Sequence, residues 1–481
     1  MRKDEGRRMK EEIIMQNAKC KLQNIRAGRK TPTLAFGSGL GLVVAFFILQ
    51  FSFCRLAAAE ASDGPEVLTL EKCLSIAMER NRDMQKAREY QNWIQGKYLE
   101  ERAQALPQVA LGAGLRRDSD DTYFQLTDGL FPKVQDTTSY DITLSQAIFT
   151  WGKIPAAIRA ARLGLASGAE QLRLARQGAL RDVTAAFYNV LLAQELLDIA
   201  RKNLKLRERH LEDAKKRFDL GTATDYDILA AEVDLENMRP LVIRQENAVR
   251  TAKKRLLFTL GREDAEIEVE GTLEAPPVSL PAYEAAVAGA LARRPELVNQ
   301  RLLVRGYDEL IKIAKTGLRP RLDLMGSYGK RALSSGDLDI DATAWSAAVV
   351  LSFPVFDGFR TQGQVVQARS VYETARLDEA KLKDQVTLEV RQALDAVREA
   401  QLILEALKGT VAQAGRLLQM AEQGLEFGVK TRLDVDDARV NLTQARANRA
   451  SAQRDCLVAL THLEWVMGTL GEEKTEGDIR R

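Results

Sequence analysis

Asp434 and Asp437 stand three residues apart, a spacing that sets two carboxylates on one face of a helix. A pair placed there acts through its charge, and its plainest use, in a first helical turn, is to complement the helix dipole. Asp118, Asp120 and Asp121 form a second acidic group. It lacks the loop glycine and distal glutamate of an EF-hand, so it reads as an external solvated loop. Soft ligands are scarce: two histidines, His210 and His462, and four cysteines, Cys20, Cys54, Cys73 and Cys456, with no CxxC spacing. That excludes a histidine-rich metal site, a zinc ribbon and a disulfide framework. No nucleophile elbow, P-loop, HExxH or paired Cys/His set occurs, so no catalytic residue, metal or cofactor is expected.

The elements that carry these residues are long helices. The 481 residues are 28% charged and only 6% aromatic, a composition suited to long helices rather than to several globules. The net charge of +3 hides an asymmetry: residues 1–59 hold 11 Lys/Arg against 4 Asp/Glu, leaving 59 against 63 in the rest. The body therefore gives no support for nucleic-acid binding. The basic segment contains an uncharged apolar run, Leu34 to Phe53, after Arg26, Arg29 and Lys30, and is followed by Ala57-Ala58-Ala59. It reads as a secretory signal peptide, with an uncleaved anchor as the alternative, and places the body outside the cytoplasm. Cys54 invites lipidation, but Phe51-Ser52-Phe53 ahead of it is a poor match for that signal.

The body repeats itself. Gly221, Thr224, Asp227 and Gly261 recur at an offset of 207 as Gly428, Thr431, Asp434 and Gly468, while Glu71 and Pro107 recur at 213 as Glu284 and Pro320. The chain divides into a leader (1–59), a first repeat (60–262), a linker (263–281), a second repeat (282–470) and a polar tail (471–481). Apolar residues recur every seven positions at Val183, Val190, Leu197, Leu204, Leu211 and Phe218, and again at Val390, Val397, Leu404, Val411, Leu418 and Leu425. A sustained seven-residue period means helices packed along a supercoiled seam. The pattern predicts helices over 154–219 and 226–260, and over 359–427 and 432–467, with Gly/Thr/Asp turns between them. Pro240 is expected to kink the first returning helix, and Arg449 breaks the apolar series in the second.

Period-two segments predict strands at 108–117 and 139–149, and at 321–330 and 343–353. Polar loops join each pair, and Pro107 and Pro320 stop the preceding helices. Alternation over ~10 residues with one apolar face is the pattern of an outer-membrane barrel, yet four strands are too few to close one. Copies of the chain would have to share it, and three copies would supply twelve strands.

With the tandem repeat, the strand-to-helix exits Ile148-Phe149-Thr150-Trp151-Gly152-Lys153 and Val355-Phe356-Asp357-Gly358-Phe359-Arg360, and the turns Gly221–Asp227 and Gly428–Asp434, the sequence resembles the TolC-type outer membrane efflux proteins from about Leu68 to Leu470. The first repeat departs from the family at Asn81-Arg82-Asp83-Met84, where a proline is usual; the second keeps it in Arg294-Pro295-Glu296-Leu297. The resemblance implies a mainly α fold with a small β part: a homotrimer with a twelve-stranded barrel in outer-membrane lipid, continuous with a periplasmic helical barrel. It implies an exit duct of a tripartite efflux or type I secretion system, working with a periplasmic adaptor and an inner-membrane pump of RND, ABC or MFS type.

It also implies roles for particular residues. Asp434 and Asp437 would form an acidic ring at the periplasmic entrance that attracts cations. Asp227 and Lys430 match positions whose polar links between neighbouring coiled coils hold the entrance shut, although Lys430 stands where the archetype has arginine and makes a weaker latch. Gly221, Thr224, Gly428 and Thr431 would form the tip where the adaptor docks. Asp436 is expected to face away from the ring. Phe149, Trp151, Trp345 and Phe356 suit a membrane interface, Phe353 suits either that interface or the core, and Cys73 and Cys456 read as small buried residues. The competing function is a periplasmic coiled-coil adaptor or scaffold without its own pore.

Overall fold

A computed structural model describes residues 66–471, apart from 120, 127–133, 263–264 and 336–337. The leader with its cleavage and lipidation signals, Cys20, Cys54, Asp120 and the tail beyond 471 lie outside the described residues. In chain order the elements are β1 (Glu66–Leu68), α1 (Leu70–Arg80), α2 (Arg82–Ala103), β2 (Gln108–Ser119), α3 (Asp121–Leu126), β3 (Val134–Phe149), α4 (Lys153–Asp219) and α5 (Asp225–Leu260). The second half holds β4 (Ile267–Val269), α6 (Tyr283–Arg293), α7 (Pro295–Ala314), β5 (Arg321–Ser335), β6 (Leu338–Ser352), α8 (Arg360–Glu426) and α9 (Arg432–Val466).

The two longest helices, α4 and α8, have 67 residues each, which at the α-helical rise is about 100 Å. The seven-residue seam explains their packing, but unevenly. Val183, Val190, Val390 and Val397 are fully buried, whereas Phe218 and Leu425, at the far end of the same seams, are exposed. At the buried end α4 packs with α1, α5, β1 and β4 around Leu68, Phe187, Leu256 and Ile267. In the same way α8 packs with α6 and α9 around Ala286, Leu394, Leu463 and Val466. Toward the turns the seam between α8 and α9 narrows to two small clusters, Ala414, Leu442 and Ala445, then Ala421, Val435 and Ala438. Cys73 and Cys456 are free and buried, and burial, then the Glu66 charge, pushes the Cys73 thiol up to about 11.

Each repeat bends at a short junction, and the two junctions are built differently. Asn81 ends α1 and caps α2, accepting from the amides of Asp83 and Met84 at 2.9 and 3.1 Å and donating to the Thr259 carbonyl at 2.8 Å. In the second repeat the buried Arg294 reaches Glu296 at 3.0 Å, pairs with Glu389, and lies over the ring of Trp465. Gly261 and Gly468, which end α5 and are passed just after α9, both have φ above +70° and press against these junctions.

β2, β3, β5 and β6 form one antiparallel sheet in that order, with β2 and β6 at its edges. All four strands run further than the apolar alternation indicates. Asp136 still pairs with Ser334 and Ser335 with Leu338, because the ladder continues where both faces are polar and hydropathy no longer alternates. β4 falls inside the expected linker and pairs in parallel with β1, a contact between segments some two hundred residues apart that no local pattern announces. α5 passes through Pro240 as one helix. Pro240 and Glu236, whose carbonyl loses its amide partner, are both exposed, so water can satisfy that carbonyl.

Candidate functional site: the hairpin turns and the exposed sheet face

The α4–α5 and α8–α9 turns are built alike. Gly221 and Gly428 take φ of +73° and +74°, a region open to glycine without steric cost. They let Thr222 N and Val429 N donate back to the carbonyls of Arg217 and Gly424, each at 2.8 Å. The next helices begin on threonine. Thr224 N and Oγ1 donate to Asp227 Oδ2 at 2.9 and 2.8 Å. Thr431 N and Oγ1 donate to Asp434 Oδ2 at 2.8 and 2.7 Å, and Asp434 N donates to Thr431 Oγ1 at 3.2 Å. These are reciprocal caps that satisfy the first amides of a helix.

This geometry separates the expected site residues by what they have left to offer. Gly221, Thr224, Gly428 and Thr431 are occupied with shaping the turns. The surface they present is apolar: Leu220, Tyr226, Phe427, Val429 and Leu433 are all exposed, Tyr226 by 78% and Phe427 by 80%. Leu220 and Phe427, and Tyr226 and Leu433, are repeat partners at the 207 offset. Paired exposed apolar residues at the turns were thus present in the sequence, and comparison of the two repeats would have found them.

Asp434 also accepts from Lys430 Nζ at 3.3 Å. Its hydrogen bonds from Thr431 and then Lys430 hold its carboxyl down to about 2. Asp437 is exposed on the same helix face. Within one chain Lys430 is therefore paired with Asp434 and not with Asp227. The Asp227 carboxyl is lowered mainly by Thr224, and the cation nearest to it is Arg432 at 3.9 Å.

Asp436, expected to face away from the ring, has partners of its own. Its Oδ1 accepts from Arg207 Nη1 of α4 at 3.0 Å, and the same Arg207 nitrogen reaches Asp234 Oδ2 of α5 at 2.9 Å. Arg207 was missed, and a signal existed: its repeat partner is the buried Ala414, and an arginine in an interior position needs a carboxylate. A reversed pair also escaped notice. Lys215–Glu232 joins α4 to α5 at 3.4 Å, where the second repeat has Glu422–Arg439 at 2.9 Å.

At the other end of the long helices, one face of the sheet is largely apolar, interrupted at Gln146, which aligns with Leu324. Leu111, Ile142, Tyr328 and Trp345 align across the four strands, as do Val109, Leu144, Gly326 and Ala347, and Leu324 aligns with Val349. The opposite face aligns Ala110, Thr143, Ser327 and Ser346, and the last two hydroxyls bond at 2.8 Å. At the strand exits, Phe149 stacks edge-on with Trp151 and Phe356 with Phe359. Trp151 and Phe359 hold positive φ of 51° and 66°, which is uncommon for aromatic residues. Their rings, with Phe353, are exposed. Among the described residues no group of three or more His, Cys, Asp or Glu could hold a metal ion.

Comparison with known proteins agrees with this geometry. The outer membrane efflux protein family matches residues 73–262 and 286–469, one segment in each repeat. The chain is 25% identical over 380 residues to outer membrane protein TolC of Vibrio cholerae, covering 77% of this chain and 84% of that protein. It is 26% identical to the alkaline protease secretion protein AprF of Pseudomonas aeruginosa, covering 78% and 79%. Its fold is that of the CmeC outer membrane channel of Campylobacter jejuni (TM-score 0.74, 18% identity, 85% and 88% covered). It is also that of the open MtrE outer membrane channel of Neisseria gonorrhoeae (TM-score 0.71, 20% identity, 84% and 90% covered). With matches spanning both repeats and a fold shared with outer membrane channels, the chain belongs to the outer membrane efflux protein family and is a channel of the outer membrane with its helical tunnel in the periplasm.

Proposed function

We propose that three copies of this chain close into one exit duct, that its apolar tip docks a periplasmic adaptor, and that an inner-membrane pump supplies the energy. The observation that carries this reading is the open sheet. The outer edges of β2 and β6 have no strand partner among the described residues, and the sheet's apolar face includes Leu111, Ile142, Trp345 and Val349, all exposed. In lipid every backbone group needs a partner, so the edges must meet other copies. Three copies of a four-stranded sheet give twelve strands. The thin burial of the helical seams toward the turns supports the same association. On this reading the protein conducts and performs no chemistry of its own. Its partners are copies of itself, outer-membrane lipid, an adaptor and a pump. A pore-less scaffold is set aside, because the family is one of channels and a soluble scaffold would gain nothing from an exposed apolar sheet.

Docking is tested by substituting Leu220→Asp together with Phe427→Asp. Cells should lose export through the duct while the purified protein still conducts in a planar bilayer. Export at the original level would refute docking at these residues. Loss of both export and conductance would make them structural.

A further inference from the structure

Near the turns, the two hairpins of one chain are joined by a run of ion pairs to which no turn residue belongs. Arg207 on α4, with its side chain only 17% exposed, reaches Asp234 on α5 and Asp436 on α9. Asp436 is also 3.6 Å from Arg439 Nη1, and Arg439 Nη2 donates to Glu422 Oε1 of α8 at 2.9 Å. The run crosses α5, α4, α9 and α8, and the Arg207–Asp436 step is the one that passes from the first hairpin to the second. Removing one partner of a half-buried pair leaves the other charge uncompensated.

His210 sits one turn beyond Arg207 on the same face of α4. Its Nε2 is shielded from solvent without a hydrogen-bond partner, as is Nε of Arg439. The charges around it are Arg207 on its own helix and Arg439, Arg432 and Asp436 on α9. The carboxylates of α5 and α8, Asp234 and Glu422, are engaged with Arg207 and Arg439. His210 thus lies among three arginines and one carboxylate that is already shared.

We propose that Arg207 and Asp436 are the clasp that holds the two hairpins of each chain together at the channel entrance, and that protonation of His210 is what releases it. The proposal rests on the channel reading above. A neutral imidazole is tolerated among the arginines. A proton on it adds a fourth cation, and the repulsion is relieved when the hairpins move apart and water enters. Burial, and then Arg439, Arg207 and Arg432, hold His210 below the ordinary imidazole range, with Asp436 opposing them. The sign follows from that direction. With the hairpins apart the imidazole regains its ordinary value near ~6.5, so the closed state is favoured in full above that pH. It loses that advantage as pH falls through the ordinary value toward the lowered one. Between the two values each pH unit shifts the open-to-closed ratio by up to about tenfold per chain.

The test uses the full-length protein in planar bilayers, with the fraction of open single channels read from about pH 7.5 to about pH 5.5, above the ordinary carboxylate range. The wild-type channel should open as pH falls. His210→Gln should give a flat profile, and His210→Arg should be open at the neutral end. Arg207→Gln should also be open at the neutral end and respond little to acid. An acid response that survives in His210→Gln overturns the proposal, as does a wild-type channel whose open fraction does not change with pH. Protein that conducts at no pH would instead refute the channel reading, and the clasp with it.

Discussion

Val349→Arg against Ala348→Arg separates a lipid-facing sheet from a merely exposed one. Val349 is 61% exposed and lies on the face that carries Trp345 and Leu351, paired with Leu324 of β5. Trp345 and Phe353 are each four residues away along the chain. At ~3.3 Å per residue they bracket about 26 Å of strand, which at a tilt of ~35–45° is roughly 20 Å of height and falls within the ~25 Å apolar band of outer-membrane barrels. Val349 is then at the middle of the bilayer, where an arginine costs about 2–4 kcal/mol per chain. Ala348, paired with Met325, points to the other face, into a water-filled lumen in this account. An arginine there should cost little, and Trp345→Arg, at the edge of the band, about 0–1 kcal/mol. Equilibrium unfolding in phospholipid vesicles measures all three. Val349→Arg should be less stable than Ala348→Arg by roughly 30-fold or more in the folded-to-unfolded ratio. Equal or reversed destabilisation would refute the assignment of the two faces.

Gly261→Ala and Gly468→Ala test the repeat junctions. Both residues have positive φ, which costs a substituted alanine about 1–2 kcal/mol. At Gly261 the new methyl would also overlap the Arg80 carbonyl oxygen, whereas at Gly468 the nearest atoms are 3.0 Å away. Thermal unfolding should therefore show the larger loss for Gly261→Ala, and equal losses would contradict the packing at Arg80. At the entrance, Asp437→Asn alone should remove much of the block of channel current by trivalent cations, because the Asp434 charge is shared with Lys430 and the Thr431 cap. Asp434→Asn should instead weaken the start of α9, and block that survives Asp437→Asn would sink this division of roles.

What could be read from the sequence depended on how local each cause was. The long helices follow from the seven-residue series, because each residue's burial depends on neighbours one or two turns away. The apolar halves of the strands follow from period two for the same reason. Their outer halves escaped because Asp136, Thr137, Thr138, Ser334, Ser335 and Asp339 put polar residues on both faces. β1 and β4 escaped because three residues each carry too little pattern. At the tip, Asp434 and Thr431 were legible as residues, but not the hydrogen bonds that tie them together. The apolar rim of Leu220, Tyr226, Phe427 and Leu433 was hidden behind the glycines and threonines that shape it. Asp436 was expected to face away from the ring, but the partner it has, Arg207, is 229 residues distant and could not be named. Pairs across such distances, like the Asn203–Thr443 bond at 2.9 Å between α4 and α9, are set by how the two repeats pack and leave no local trace.

A conducting duct requires that the open sheet of one chain be completed by others. Native mass measurement of the full-length protein, extracted from membranes in detergent and then inserted into a planar bilayer, tests this most directly. It should show a threefold assembly that conducts ions. A monomer that stays in solution without detergent and leaves the bilayer silent would contradict it.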